Sequence, residues 1–207
     1  MKIMHIPLGN LGTNCYLCHE DGKAVMIDVG MYSDKLIDLL CEKNLTLEYI
    51  LLTHGHFDHT TGVEKLKEKT GAKVCILSAE EEMLGKASLN GAGSFGMEYD
   101  DNITADILFD DGDVLSFGSE NIKVIATPGH TVGGCCYYFE NEKVLFSGDT
   151  LFRQSIGRTD LWGGDYDTLI QSINEKLMVM EDDVFICPGH GTMSNIGYER
   201  ANNPYIR

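Results

Sequence analysis

Five of the seven histidines and two aspartates fall in four short segments, each placed where an apolar run gives way to a turn. The first is Thr53-His54-Gly55-His56-Phe57-Asp58-His59, directly after Tyr49-Ile50-Leu51-Leu52. The others are Thr127-Pro128-Gly129-His130-Thr131, Ser147-Gly148-Asp149-Thr150 and Pro188-Gly189-His190-Gly191. Imidazoles and a carboxylate at this density suit a borderline divalent ion such as zinc, iron or manganese. On extended chain His54 and His56 point the same way and can chelate one ion. Asp58 and His59 lie just beyond, where the chain turns into a helix, and can be aimed at a second position. A lone histidine such as His5 or His19 is ordinarily structural. Four candidate ligands within the six residues His54 to His59 are not explained that way.

These residues need strands to end beside them. Apolar runs predict strands over Met1–Ile6, Thr13–Cys18, Ala24–Ile27, Tyr49–Leu52, Lys73–Leu77, Ile122–Ala126, Cys135–Phe139, Val144–Phe146 and Val184–Cys187. Hairpins are expected across Glu20-Asp21-Gly22-Lys23 and across Glu140-Asn141-Glu142-Lys143. Helical spacing predicts Asp34–Lys43, capped by Ser33, then Val63–Lys69 ending at Gly71, a short Ala79–Lys86, and Tyr166–Met180. The Gly- and Asn-rich stretch Ala87–Asp106 has no clean period and is expected to be a long surface loop. Hairpins mixed with strand–helix alternation imply an α+β chain with a mixed sheet, or two sheets, flanked by helices.

Composition bounds the partners. With 207 residues, 43 % of them hydrophobic, the chain is expected to be a single domain spanning 1–207. A formal net charge of −16 disfavours nucleic acid and anionic membrane as partners, because both are polyanions. No apolar run approaches the ~20 residues of a membrane span. The N-terminus does not read as a secretory signal. Seven cysteines scattered through apolar runs read as buried thiols in a reducing compartment, so a cytoplasmic location is expected, as a monomer or small homo-oligomer. Cys15-x-x-Cys18 lacks a second pair, and Cys135-Cys136 are neighbours in a strand. Both are read as core residues.

The motif His54-x-His56-x-Asp58-His59, followed in order by His130, Asp149 and His190, resembles that of the metallo-β-lactamase superfamily. The likeness implies a four-layer αβ/βα sandwich, two mixed β-sheets flanked by helices, and two divalent metal ions, zinc first and iron or manganese otherwise. By that likeness His54, His56 and His130 bind one ion, Asp58, His59 and His190 the other, and Asp149 bridges. Within the superfamily the stretch Ser147–Asp160, with Pro188-Gly189-His190-Gly191 and Glu199–Tyr205, is similar to the short bacterial hydroxyacylglutathione hydrolases (glyoxalase II), without the C-terminal helical domain of the longer members. Arg158 falls where those enzymes carry a Lys that contacts the tripeptide, and Asp160 replaces their nearby Tyr.

What this resemblance implies is hydrolysis of a small acyl thioester such as S-lactoylglutathione. A hydroxide bridging the two metals would attack the carbonyl, oriented by Asp58, and a thiolate would leave without a strong general acid. Arg153 and Arg158 would add to the positive charge that receives the substrate. A persulfide dioxygenase with one iron is the rival from another class, followed by a lactone or ester hydrolase of the same fold.

Overall fold

The computed structural model describes residues 1–84, 86–96 and 103–206. The chain divides into two compact units, Met1–Ile76 with Glu81–Leu108, and Leu77–Glu80 with Phe109–Arg207.

The first unit carries a six-stranded sheet in the order β1-β2-β3-β4-β5-β6. Its strands are β1 (Lys2–Leu8), β2 (Thr13–Glu20), β3 (Lys23–Ile27), β4 (Thr46–Leu51), β5 (Lys73–Leu77) and β6 (Ile107–Phe109). The expected hairpin closes with Glu20 opposite Lys23. Asp21 and Gly22 both adopt positive φ, 49° and 80°, the turn that matches the right-handed twist of paired strands. The pairings of β3 with β4 and of β4 with β5 are parallel, so helices must make these crossovers. These are α1 (Asp34–Glu42) and, between β4 and β5, α2 (Phe57–Thr60) and α3 (Val63–Thr70). Ser33 caps α1 by accepting from the Lys35 amide, and Gly71 ends α3 in the left-handed conformation. Leu36 and Leu40 of α1 and Val63 and Leu66 of α3 pack with Leu17, Met26, Ile50 and Val74 of the strands. The expected helix over Ala79–Lys86 is instead a 3₁₀ turn, Ser78–Glu80, followed by α4 (Glu81–Leu84). In the expected loop 87–106, Ala92–Phe95 form another 3₁₀ turn, and residues 97–102 lie outside the described residues.

The second unit carries the other six-stranded sheet, in the order β14-β13-β10-β9-β8-β7. Its strands are β7 (Val114–Phe117), β8 (Glu120–Ala126), β9 (Cys135–Phe139), β10 (Val144–Gly148), β13 (Phe185–Pro188) and β14 (Ser194–Asn195). A separate small hairpin pairs β11 (Leu151–Phe152) with β12 (Ser155–Ile156). The helices are α5 (Tyr166–Ser172) and α6 (Ile196–Asn202). The apolar stripe expected over Tyr166–Met180 is present, but the backbone winds as α only to Ser172 and continues as a π turn over Ile173–Leu177. Leu169, Ile173 and Leu177 are fully buried against Leu145, Ile186 and Ile196, each worth about 1.5–3 kcal/mol over exposure. Both sheets are therefore mixed and flanked by helices.

The strand directions explain why ligands cluster. β8 and β10 are both antiparallel to β9, and β13 is parallel to β10. All three run the same way, so His130, Asp149 and His190, which follow them, emerge at one edge of that sheet. Among the described residues no helix is long and apolar enough to cross a membrane.

Candidate metal centre

In the first unit the chain leaves β4 at Leu51 and delivers His54, His56, Asp58 and His59 within two turns of backbone. The His54 ring lies 4.8 Å from that of His56 and 4.2 Å from that of His59. All three rings are buried. A neutral imidazole carries a hydrogen on one ring nitrogen and a lone pair on the other, and only the lone pair can bind a cation.

Hydrogen bonds decide which nitrogen is which. Nδ1 of His59 lies 2.8 Å from Oδ2 of Asp28, a carboxylate that is 1 % exposed. A carboxylate only accepts, so His59 donates from Nδ1 and its lone pair sits on Nε2. The Thr53 hydroxyl donates to the same Asp28 oxygen at 2.8 Å, and the Thr53 amide donates to Oδ1 at 2.8 Å. With its proton committed to Asp28, Thr53 Oγ1 can only accept from Nδ1 of His54, 3.0 Å away. The His54 lone pair is then also on Nε2. One buried aspartate thus sets two imidazole tautomers, an outer-shell arrangement that orients metal-binding histidines. Asp28 holds a left-handed backbone, φ 54°, unusual for a residue other than glycine, to do so. The sequence reading missed Asp28. The signal was there, since it too follows an apolar strand, Ala24–Ile27, and precedes Val29-Gly30.

Asp58 is placed by the Thr13 hydroxyl, which donates to its backbone carbonyl at 2.9 Å and reaches its Oδ2 at 3.4 Å. Oδ2 of Asp58 is 3.7 Å from Nε2 of His59. That is too long for a hydrogen bond. It is close to the ~3.4 Å between two donors that each bind one tetrahedral cation at about 2.1 Å. A small cleft beside Asp58 is lined by Leu11, Met31 and Phe57.

The second unit repeats the pattern. Nδ1 of His130 donates to the Arg158 carbonyl at 2.7 Å, which again leaves the lone pair on Nε2. Oδ2 of Asp149 stands 3.6 Å from Nε2 of His130 and 3.7 Å from Nε2 of His190. One carboxylate oxygen at ligand spacing from two imidazoles is suited to sharing between cations. The loops are tied by backbone, with the Gly189 amide donating to Gly148 at 2.7 Å and the Asp165 amide to Gly129 at 2.8 Å. Gly157 is required at this point, because a Cβ there would lie 1.8 Å from the Asp149 carbonyl oxygen.

The residues fit divalent metal. Each unit by itself carries imidazole Nε2 and carboxylate oxygen, the donor set of zinc, iron and manganese, with the opposite ring nitrogen of His54, His59 and His130 bonded to protein.

The two arginines part company. Arg158 is committed to Asp160 through two hydrogen bonds, Nε to Oδ1 at 2.7 Å and Nη2 to Oδ2 at 2.8 Å. That guanidinium holds the Asp160 carboxyl down at about 2. Arg153 lies instead over the ring of Tyr198, 4.4 Å from its centroid. The residues set aside behave as core. Cys15, Cys18, Cys135 and Cys136 are buried free thiols, and burial pushes the Cys15 thiol up to about 12. His5 pairs with Asn14 at 2.7 Å and stacks on Tyr16.

Comparison with known proteins shows the family. The family model of the Metallo-beta-lactamase superfamily matches residues 8–190. The chain is 37 % identical over 208 residues to the hydroxyacylglutathione hydrolase GloC of Haemophilus influenzae, covering 100 % of this chain and 98 % of that one. Among solved structures it is similar to the BLEG-1 B3 metallo-beta-lactamase, with a TM-score of 0.94, 38 % identity and 99 % of each chain covered. It is also similar to TTHA1623 in a di-iron-bound form, with a TM-score of 0.89, 32 % identity and coverage of 98 % of this chain and 100 % of that one.

Proposed function

Because this chain belongs to the Metallo-beta-lactamase superfamily, a membership shown by the family match over residues 8–190, we propose that it hydrolyses small acyl thioesters in the manner of glyoxalase II, with S-lactoylglutathione as the first candidate. In this reading the two ligand sets serve one dinuclear centre. His54, His56 and His130 would hold one divalent cation, Asp58, His59 and His190 the other, and Asp149 would serve both. The likeness to GloC of Haemophilus influenzae over the whole chain is the observation that carries the thioester reading.

When bound, such cations polarise a carbonyl and acidify a water. The remaining work belongs to the chain. Asp58, anchored by Thr13, takes the hydrogen of the attacking water at its carboxylate and orients the oxygen toward the acyl carbon. Asp28, through His59 and Thr53, keeps both lone pairs aimed outward. The leaving group is a thiol with an ordinary pKa of about 8.5, so it departs without a strong acid beside it. The apolar wall of Leu11, Met31 and Phe57 suits a short acyl group. Seven free cysteines accord with work in a reducing, cytoplasmic setting.

The likeness to BLEG-1 supports a second reading, hydrolysis of a β-lactam amide. The test loads purified protein with zinc, iron or manganese and follows three reactions: loss of the S-lactoylglutathione thioester, opening of a chromogenic cephalosporin, and oxygen consumption with glutathione persulfide. The expected result is thioester turnover well above the other two. A folded, metal-loaded protein without thioesterase activity overturns the proposal.

A further inference from the structure

The hairpin after Asp149 is built in a way its length does not explain. β11 and β12 are joined by only two residues, Arg153 and Gln154, and Gln154 adopts φ 55° where glycine is the ordinary choice. The strained residue is held from α6. Its amide donates to Oε2 of Glu199 at 2.7 Å, and its side-chain amide donates to the Tyr198 hydroxyl at 2.8 Å. Glu199 is 0 % exposed. The same oxygen accepts from Asn203 Nδ2 at 2.9 Å, and Asn203 in turn donates to the Ser155 carbonyl at 3.0 Å. Ser194 donates to the other Glu199 oxygen. A buried carboxylate thus fixes a surface turn rather than a core element.

What the turn presents is Arg153. The hydrogen bonds beside it fix the turn, and the exposed guanidinium lies over Tyr198, its carbon 4.4 Å from the ring centroid, a contact that uses the guanidinium's face and not its N–H donors. Charge accounting singles it out in a chain of net charge −16. Three arginines fall within the described residues. Arg158 is forked onto Asp160, and Arg200 is bound to Asp182 and to the Met178 and Met180 carbonyls. Among the described residues Arg153 has no carboxylate partner. The turn also lies next to the ligand loops, because the preceding residue, Phe152, meets the His190 ring edge-on at 6.4 Å between centroids.

We propose that Arg153 is the specificity residue of the site, its guanidinium reading a carboxylate on the thiol carrier of the substrate. Tyr198 is its positioning residue. This rests on the thioester reading above and names what that reading leaves open. A charge-assisted, two-pronged contact of this kind separates charged from neutral carriers by about tenfold to a hundredfold.

The test compares two esters with the same acyl group, S-lactoylglutathione, which carries carboxylates, and S-lactoyl-N-acetylcysteamine, which carries none. The measured quantity is the ratio of their kcat/KM values in the metal-loaded protein. Arg153→Gln is expected to lower the ratio about tenfold to a hundredfold, mostly through KM of the glutathione ester. Tyr198→Leu is expected to lower it in the same direction, and Tyr198→Phe, which keeps the ring, to restore it. Calorimetric binding of glutathione itself gives a readout independent of turnover, and Arg153→Gln should weaken it by a similar factor. If the wild-type protein cleaves neither ester, the thioester reading fails on its own and the calorimetry still decides Arg153. A ratio unchanged by Arg153→Gln, or glutathione binding that is absent or equal in the two proteins, overturns the proposal.

Discussion

Oδ2 of Asp28 lies 2.8 Å from Nδ1 of His59 and 2.8 Å from the hydroxyl of Thr53, whose oxygen in turn faces Nδ1 of His54 at 3.0 Å. A single buried carboxylate therefore determines which nitrogen of two histidines is available to a cation. Substituting Asp28 by Asn puts an N–H donor beside groups that must themselves donate. We expect metal affinity to fall about tenfold to a hundredfold, the usual cost of losing an outer-shell partner. Competition with a graded chelator measures it, with circular dichroism confirming the fold. Affinity within twofold of wild type would sink this role for Asp28.

Asp149 presents one oxygen at 3.6 and 3.7 Å from His130 and His190. If that oxygen is shared between cations, Asp149→Ala loses bound metal together with activity. Elemental analysis after desalting reads the occupancy, and full occupancy in the variant contradicts the shared role.

Arg158 spends its fork on Asp160, so the resemblance to a tripeptide-binding position is masked by a neighbour two residues away. Asp160→Asn releases the guanidinium, and KM for S-lactoylglutathione is expected to drop severalfold. Acidifying to pH 5 does not mimic the substitution. Asp160 has its carboxyl lowered from the ordinary 3.8 to about 2, so the pair is intact above 3.8 and lost only as pH falls through 2. Steady-state kinetics at pH 5 and 7.5 separates the two cases, and an unmoved KM would show that Arg158 does not reach the substrate.

Burial raises the thiols of Cys15, Cys75 and Cys187 from the ordinary 9.0 to about 12 and that of Cys136 to about 11, whereas Cys41 is exposed. An aromatic disulfide reagent at pH 8 should label about one thiol per native chain and all seven after denaturation. The raised values also give alkaline stability a sign. The unfolded chain loses these protons near 9 and the folded one only near 11 to 12, so stability is complete below 9 and falls as pH rises through that window. Denaturant midpoints at pH 8, 10 and 11 check it, and a flat profile would refute it.

Much of the molecule was legible before its structure. Strand positions followed from apolar runs, and the two hairpins from turn residues, because both signals are local. The short pieces β6, β7, β11, β12 and β14 were not, since strands of two to four residues carry too little period to detect. Helix α6 was missed for a similar reason: Ile196 and Glu199 are its buried side chains, and a buried glutamate reads as surface in one dimension.

The sequence by itself determined the candidate donors, their order and their strand-end placement. That information lies in contiguous residues such as His54 to His59. Only the tertiary structure decided which groups orient the ligands. Asp28 and His59 are 31 positions apart, and Gln154 and Glu199 are 45 apart. Periodicity reports the neighbours of a residue along one element. Which carboxylate reaches which imidazole, and which ring lies under Arg153, depends on packing between elements, and no local pattern encodes that.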